Sequence, residues 1–394
     1  MVSFSNTEIA FQYCDKFKLI KAYWLFRLMR FGILVKAAKI FINAAVAIHL
    51  PVSWLLKPTI FRHFCGGESL NEASSTIKIL NKYNVKTILD YSVEGKDTEL
   101  SYEKALEETI ATIDFAAQNP DVPFAVFKPS AFGNRVVLEK ASNKVELNNE
   151  EKTEFERFKN RIEKLCRRAF EEDIPVMIDA EHSYYQKIID EVCEEMMLQF
   201  NKKKAIVFNT LQLYRTDRLE FLKQIYNKAE KENYFLGIKF VRGAYMEKER
   251  ERAKKCNYPS PIYPDKPATD NAYNEALRFS IAHIDRISIF NGTHNEYSCQ
   301  LLTELMTEAG ISKNDNRIWF SQLYGMSDNI SFNLAHNGYN AAKYVPFGPV
   351  THVIPYLLRR AEENTSVKGQ TSREMAMIEK EVKRRRMAKK GAKN

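Results

Sequence analysis

EDIPVMIDAEHSYYQKIIDEVCEEMMLQFNKKKAIVFNT, residues 172–210, is the stretch on which the fold is read. VMIDA (176–180) and AIVF (205–208) are short apolar runs of strand character, and the amphipathic segment between them, 183–199, reads as a helix. Two strands separated by a helix of that size pair in parallel through a crossover, because a tight turn cannot reverse the chain for parallel pairing.

The same alternation extends in both directions. TILDYSV (87–93), FAVFK (124–128), GIKFV (237–241), ISIF (287–290), RIWFS (317–321) and AKYV (342–345) bring the candidate strands to eight. Predicted helices at 102–117, 152–172, 217–232, 270–283, 296–309, 326–336 and about 353–363 separate or follow them. Eight such units close a barrel of typically about 250 residues. The expectation is therefore an α/β chain: a distorted (β/α)8 TIM-like barrel over 85–366, an N-terminal helical arm over 1–84, and a basic C-terminal tail over 367–394.

The arm reads as helix from 4 to 81, divided by Pro51 and Pro58 and punctuated by Gly66-Gly67. Residues 40–56 carry no formal charge, yet a bilayer span needs about 20 apolar residues. Asn43, His49 and Pro51 interrupt the run. It is read first as a buried helix pair, with a membrane-surface helix as the second reading.

With 394 residues, 45% apolar and 12% aromatic, the chain has ample material for a large core. The formal charge is +9. Residues 383–393 hold Lys383, Arg384, Arg385, Arg386, Lys389, Lys390 and Lys393 without an acid, so the body is nearly neutral. A nucleic-acid-binding protein would carry its charge on the folded surface with aromatics interleaved, so no nucleic acid is expected. The tail reads as a solvated helix end or as a weak contact with anionic lipid. Six scattered cysteines without C-x-x-C spacing point to reduced, mostly buried thiols in a cytosolic-type compartment, with no metal site. Neither a signal-peptide nor a transit-peptide pattern opens the chain.

Each apolar strand ends in a polar or reactive residue: Glu94, Lys128, Asp179 with Glu181, Gln212, Lys239 with Arg242, His294, Gln322 and Tyr344. Barrel active sites are built from C-terminal strand ends. Polar residues also mark where strands become loops, but eight complementary groups exceed that explanation.

The last helix puts Tyr356, Arg359, Arg360 and Glu363 at i, i+3, i+4 and i+7, on one face. Two guanidiniums can take a carboxylate as planar forks while the glutamate takes an ammonium, which is a grip for a zwitterion. The alternative is an intrahelical surface pair. GIKFVRGAY (237–245) reads as a strand running into a glycine-containing loop, with a cation facing a ligand or solvent. Lys128 and Asp179 follow runs that should be buried, and they pair with each other or with ligand. Lys266, Thr269, Thr293 and His294 stand at helix starts, where cations and hydroxyls suit phosphate oxygens. No G-x-G-x-x-G, Walker A, H-E-x-x-H or G-x-S-x-G pattern is present.

FKPSAFG (127–133), IDAEHS (178–183), TLQLY (210–214), KFVRGAYMEKE (239–249), YPDKPATDNAY (263–273), GTHN (292–295), SQLYGM (321–326) and YVPFGPVTHVIPYLLRRAEEN (344–364) together resemble the proline dehydrogenase family, in its monofunctional form. FRHFCGGES (61–69) is similar too, less specifically. The resemblance implies FAD held non-covalently across the strand C-termini and oxidation of L-proline to 1-pyrroline-5-carboxylate. Electrons would pass to a quinone, as the first step of proline catabolism to glutamate. It implies that Arg359 and Arg360 bind the proline carboxylate, Glu363 orients the amine, and Tyr344 and Tyr356 wall the ring. Lys128 and Asp179 would form the floor, with Tyr245 and Leu323 adding contacts. Gln212, Lys239, Val241 and Gly243 match flavin neighbours, and Lys266, Thr293 and His294 match positions along the rest of the cofactor. Glu94 would latch to Arg360. Location would be cytoplasmic, with peripheral contact on the inner face of a respiratory membrane left open. Met246 stands where an aromatic is frequent in the family, and Phe347 replaces a common tyrosine. Tyr344 implies a preference for proline over 4-hydroxyproline. The alternatives are a hydroxyproline dehydrogenase and a non-catalytic amino-acid-binding barrel.

Overall fold

A computed structural model describes residues 2–48, 50, 52–91, 97–366 and 370–391. Eight parallel strands follow one another in chain order around a closed barrel: β1 (Val85–Tyr91), β2 (Ala125–Phe127), β3 (Val176–Ile178), β4 (Val207–Gln212), β5 (Leu236–Val241), β6 (Ile287–Gly292), β7 (Ile318–Leu323) and β8 (Ala341–Phe347). Before them come α1 (Thr7–Ala10), α2 (Lys16–Met29), α3 (Gly32–Ala47), α4 (Ser53–Leu56), α5 (Arg62–Phe64) and α6 (Leu70–Asn81). Between the strands lie α7 (Glu99–Ala117), α8 (Arg135–Ser142), α9 (Asn149–Glu171), α10 (Ser183–Phe200), α11 (Arg218–Glu232), α12 (Met246–Cys256), α13 (Lys266–Ala282), α14 (Glu296–Glu308) and α15 (Asp328–His336). α16 (Val350–Ser366) and α17 (Gln370–Gly391) close the chain. The polypeptide forms two compact units, 97–321 in one and 2–91 with 322–391 in the other.

In the first unit, sheet alternation sorts the side chains. Phe208, Thr210 and Gln212 of β4 point one way, and so do Gly237, Lys239 and Val241 of β5, whose backbones are in register with them. Phe208, Phe290 and Trp319 meet Phe124 at ring-centroid distances of 5.2–5.4 Å, edge to face. Gly237 leaves the room: a Cβ there would lie 2.6 Å from the Phe208 ring. Two residues further along β4, β5 and β7, this layer gives way to Thr210, Lys239 and Ser321. The outer helices follow amphipathic logic. α9 starts with a reciprocal Asn148–Glu151 capping box and buries Phe158, Ile162, Leu165, Cys166 and Ala169, one stripe at helical spacing.

In the second unit, β1 and β8 pair over seven residues, with Ile88 opposite Tyr344. Lys343 faces away from Tyr344 and is fully buried, 2.7 Å from Asp328 of α15. Inner faces of α2, α3 and α4 share one apolar core with Val353, Ile354, Tyr356, Leu357 and Ala361 of α16.

The structure revises several expectations. β4 begins two residues later than read and runs to Gln212, and β7 runs to Leu323. α8 and α12 were not foreseen, because MEKERERAKKC carries almost no apolar period and RVVLEKAS is only two turns long. The helix pair at 40–56 is buried on one side only: Ile42, Ala45, Val52 and Leu56 join the core, while Ile40, Phe41, Ile48 and Trp54 are 60–74% exposed. The basic tail is not simply a solvated end. α17 buries Glu374, Met375, Ile378 and Glu381, and Arg385 donates to the carbonyls of Phe11 and Cys14. The thiols are free, with Cys65, Cys166, Cys193 and Cys299 buried, as expected; Cys256 is exposed. Glu94 lies outside the described residues.

Candidate active site

Within the first unit, Lys239 in β5 donates to Asp179, just past β3, at 2.5 Å. Both are largely shielded, at 7% and 15% side-chain exposure. Asp179 is held in place by its backbone N–H, which donates to the Phe127 carbonyl. Around this pair stand Thr210, Gln212 and Ser321, each 3% exposed. Thr210 Oγ1, Gln212 Oε1 and Ser321 Oγ find no hydrogen-bond partner among the described residues. A buried polar atom without a partner costs about 1–3 kcal/mol. Three of them at the C-terminal ends of β4 and β7 therefore suit the polar edge of a bound group.

Val241 is the register partner of Gln212. Gly243 has φ +132°, and any Cβ there would run into the Tyr214 ring, so glycine is needed for packing before any ligand is considered. Lys128, half-buried, precedes a single 3-10 turn, Pro129–Ala131. In that turn the Ser130 N–H and hydroxyl donate to Glu181 at 2.7 and 2.6 Å. Burial raises the Glu181 carboxyl above its usual range, although the Ser130 hydrogen bonds oppose the shift.

Arg242, one residue beyond β5, organises the groups placed at helix starts. It donates to Asp270 at 2.7 Å, to Thr293 Oγ1 at 2.6 Å and to Ser298 Oγ at 2.9 Å, with its guanidinium 4.3 Å from the Tyr273 ring centre. Lys266 pairs with Asp270 along α13, and the Asn295 N–H donates to Thr293 Oγ1 at 3.1 Å. The structure thus gathers Lys266 and Thr293 around one salt-bridged hub, and half-buried His294 follows Thr293 directly. Burial would raise Asp270, but the Lys266 hydrogen bond and the Arg242 charge outweigh it and hold the carboxyl low.

Tyr245 caps α12 and lies with its ring 4.3 Å from that of His182. Glu249, 1% exposed, accepts from the Ser183 N–H at 2.8 Å and Oγ at 2.5 Å, and lies 3.3 Å from His182 Nδ1. These hydrogen bonds outweigh burial and keep Glu249 below its usual pKa. Sequence reasoning placed Arg242 among the strand-end cations without naming its partners, and assigned no role to His182 or Glu249. The available signal was their presence inside IDAEHS and KFVRGAYMEKE.

In the second unit, the face read from spacing is helical throughout, since α16 spans Val350–Ser366. Tyr356 and Arg360 are buried, with the guanidinium 5.3 Å from the ring centre. Arg359 is half-buried, and the Glu363 side chain lies outside the described residues. Leu323 packs on the core that holds α16. Tyr344 is 8% exposed, and its carbonyl accepts from the Tyr324 N–H. The connection from β8 to α16 is clasped by 66–68: the Gly66 N–H donates to the Pro346 carbonyl at 2.9 Å, the Gly348 N–H donates to the Gly67 carbonyl at 3.1 Å, and the Val350 N–H donates to Glu68 at 3.2 Å. That gives the CGGE string a physical purpose.

The proline dehydrogenase family pattern matches residues 73–373. The chain is 36% identical over 322 residues to the carbapenem antibiotics biosynthesis protein CarD of Pectobacterium carotovorum subsp. carotovorum, a match covering 82% of this chain and 83% of that one. It is 33% identical over 379 residues to proline dehydrogenase 1, mitochondrial, of Dictyostelium discoideum, covering 85% of this chain and 66% of that protein. Among solved structures, proline utilization A of Bdellovibrio bacteriovorus matches with a TM-score of 0.70 at 22% identity. That likeness of fold covers 78% of this chain, which spans 33% of the solved one. With the family pattern extending from α6 into α17 and a parallel eight-stranded barrel beneath it, the chain belongs to the proline dehydrogenase family.

Proposed function

We propose that the protein oxidises L-proline to 1-pyrroline-5-carboxylate with FAD as its cofactor and a quinone as the final electron acceptor. The observation that carries the reading is the buried Lys239–Asp179 pair surrounded by the unsatisfied oxygens of Thr210, Gln212 and Ser321. The nitrogens and carbonyls along one edge of an isoalloxazine suit that polar layer, so the residues present fit the cofactor. Gln212, Lys239, Val241 and Gly243 would hold the ring system, and Lys266, Thr293 and His294 the remainder. FAD, when bound, would supply the two-electron acceptor for hydride from the ring CH2 carbon bonded to nitrogen, the one that does not carry the carboxylate.

The chain's own groups do the rest. Arg359 and Arg360 fix the carboxylate as planar forks, which sets the ring's orientation before reaction. Glu363 receives the ammonium; one N–H proton passes to solvent to free the lone pair, departure of hydride would leave an iminium, and the iminium releases its remaining N–H proton to solvent to give the imine. Tyr344 and Tyr356 confine the ring and exclude water, and Lys128 lines the floor with Asp179. The Lys239 ammonium would favour negative charge on a group held beside it.

The test is anaerobic addition of L-proline to the purified yellow protein, followed by a soluble quinone. Bleaching and recovery of the flavin absorbance are expected, and a colourless protein or an unbleached one refutes the reading. Arg359→Met should raise the KM for proline about 10–100-fold, the worth of a charge-assisted hydrogen bond of about 1.5–3 kcal/mol, with flavin content unchanged. A normal KM removes Arg359 from carboxylate binding. Turnover of 4-hydroxyproline equal to that of proline would refute the preference assigned to Tyr344.

A further inference from the structure

The N-terminal helices bury one edge and expose the other, and both edges are apolar. α2 buries Leu19, Phe26 and Met29 but exposes Phe17, Ile20, Trp24 and Leu28, a second stripe at i, i+3, i+7 and i+11. α3 buries Val35, Ile42 and Ala45 while Ile33 is 84% and Ile40 71% exposed. α4 buries Leu56 and leaves Trp54 74% exposed. Thirteen of the twenty exposed large hydrophobics among the described residues fall between 17 and 55. Soluble monomers rarely expose apolar surface so contiguously, and a helix apolar on both sides needs a second apolar environment.

Charge identifies that environment. From 16 to 67 the sequence has nine lysines and arginines and no aspartate or glutamate. Lys16, Lys18, Lys21, Arg27, Arg30 and Lys36 are exposed beside the apolar stripes. Arg27 lies 4.9 Å from the Trp24 ring centre, so cation and indole share one level. A second copy of this face would oppose cations to cations with no acid to pair them. No helix among the described residues is long and apolar enough to cross a membrane. We propose that the outer face of α2, α3 and α4 docks onto an anionic lipid bilayer, with Trp24, Ile33, Phe41 and Trp54 entering the acyl boundary and the cations meeting the headgroups.

The inner face of the same helices packs on α16, and Lys39 pairs with Glu362 there at 2.6 Å. The docked arm would therefore hold the arginine-bearing helix close to a lipid-dissolved electron acceptor, a consequence that rests on the proposed activity.

The experiment is flotation of the full flavin-loaded chain with phosphatidylcholine vesicles, with and without phosphatidylglycerol. The expected result is flotation with the anionic vesicles, weakened by salt. I33E/F41E should weaken it at least about tenfold, because two apolar anchors become acids facing an anionic surface. Its thermal melt and proline-dependent bleaching should match the parent. Lys36→Glu should weaken binding while keeping the apolar face whole. Absence of flotation, flotation equal in parent and I33E/F41E, or a parent dimer that these substitutions split would overturn the proposal. Failure of bleaching with flotation intact would sink the activity reading and leave the docking surface standing.

Discussion

Replacing Lys239 by methionine removes one half of a buried ion pair and keeps most of the side-chain volume. The carboxylate of Asp179, 15% exposed and 2.5 Å from Lys239 Nζ, would lose that partner. Breaking such a pair costs about 3–5 kcal/mol, because the stranded charge has left bulk water without compensation. Residual exposure of Asp179 argues for the lower end, about 3 kcal/mol. At about 2–4 °C per kcal/mol for a unit of this size, the melting temperature should fall by about 6–12 °C. Asp179→Asn should cost a similar amount by stranding the ammonium. The double variant strands neither charge, so its loss should be smaller than the two single losses combined by about 2 kcal/mol, within the range for directly contacting residues. The assay is thermal unfolding followed by circular dichroism on the flavin-free proteins, so that cofactor loss does not enter. If the two single losses simply add, the pair is not coupled and the construction of the site around it is wrong.

Two further outcomes follow from other parts of the chain. Burial, reinforced by the nearby Asp328 charge, raises the pKa of Glu374 to about 7, and its carboxyl accepts from the Ser327 N–H at 2.6 Å. The folded state thus binds this proton more tightly than the unfolded chain, so stability falls as pH rises from about 4.5 toward 7, by about 3 kcal/mol if the whole shift is expressed. Glu374→Gln should therefore be near neutral at pH 4 and raise the melting temperature at pH 8; equal effects at both would exclude ionisation of Glu374 as the cause. Gly66→Ala would place a Cβ 2.6 Å from Cγ1 of the fully buried Val345, beside the clasp on α16. Overpacking of that kind costs about 1–3 kcal/mol, and the KM for proline should rise as the helix shifts. An unchanged melt and KM would mean that the clasp does not position α16.

The barrel was legible because its signal is periodic and local. VMIDA, GIKFV and ISIF can be nothing but short buried strands once long amphipathic segments separate them, and parallel crossovers leave few topologies. The face of α16 was legible for the same reason: helical spacing alone puts Tyr356, Arg359 and Arg360 together. α12 escaped because a helix of charged residues has no apolar period to detect. The partner of Lys239 also escaped. Asp179 is 60 residues away in sequence, and only closure of β3, β4 and β5 decides that it meets Lys239.

The same limit governed the arm and the tail. Sequence determined that 16–56 is helical and rich in apolar residues, and that 383–393 is basic. Hydropathy records how much apolar surface a segment has, but burial depends on whether distant elements arrive to cover it. α16 covers one edge of α2–α4, no described element covers Trp24, Ile33 or Trp54, and the carbonyls of Phe11 and Cys14 receive Arg385 from 371 and more residues away. Those outcomes belong to tertiary structure, because they are set by which surfaces meet and not by what any one segment prefers.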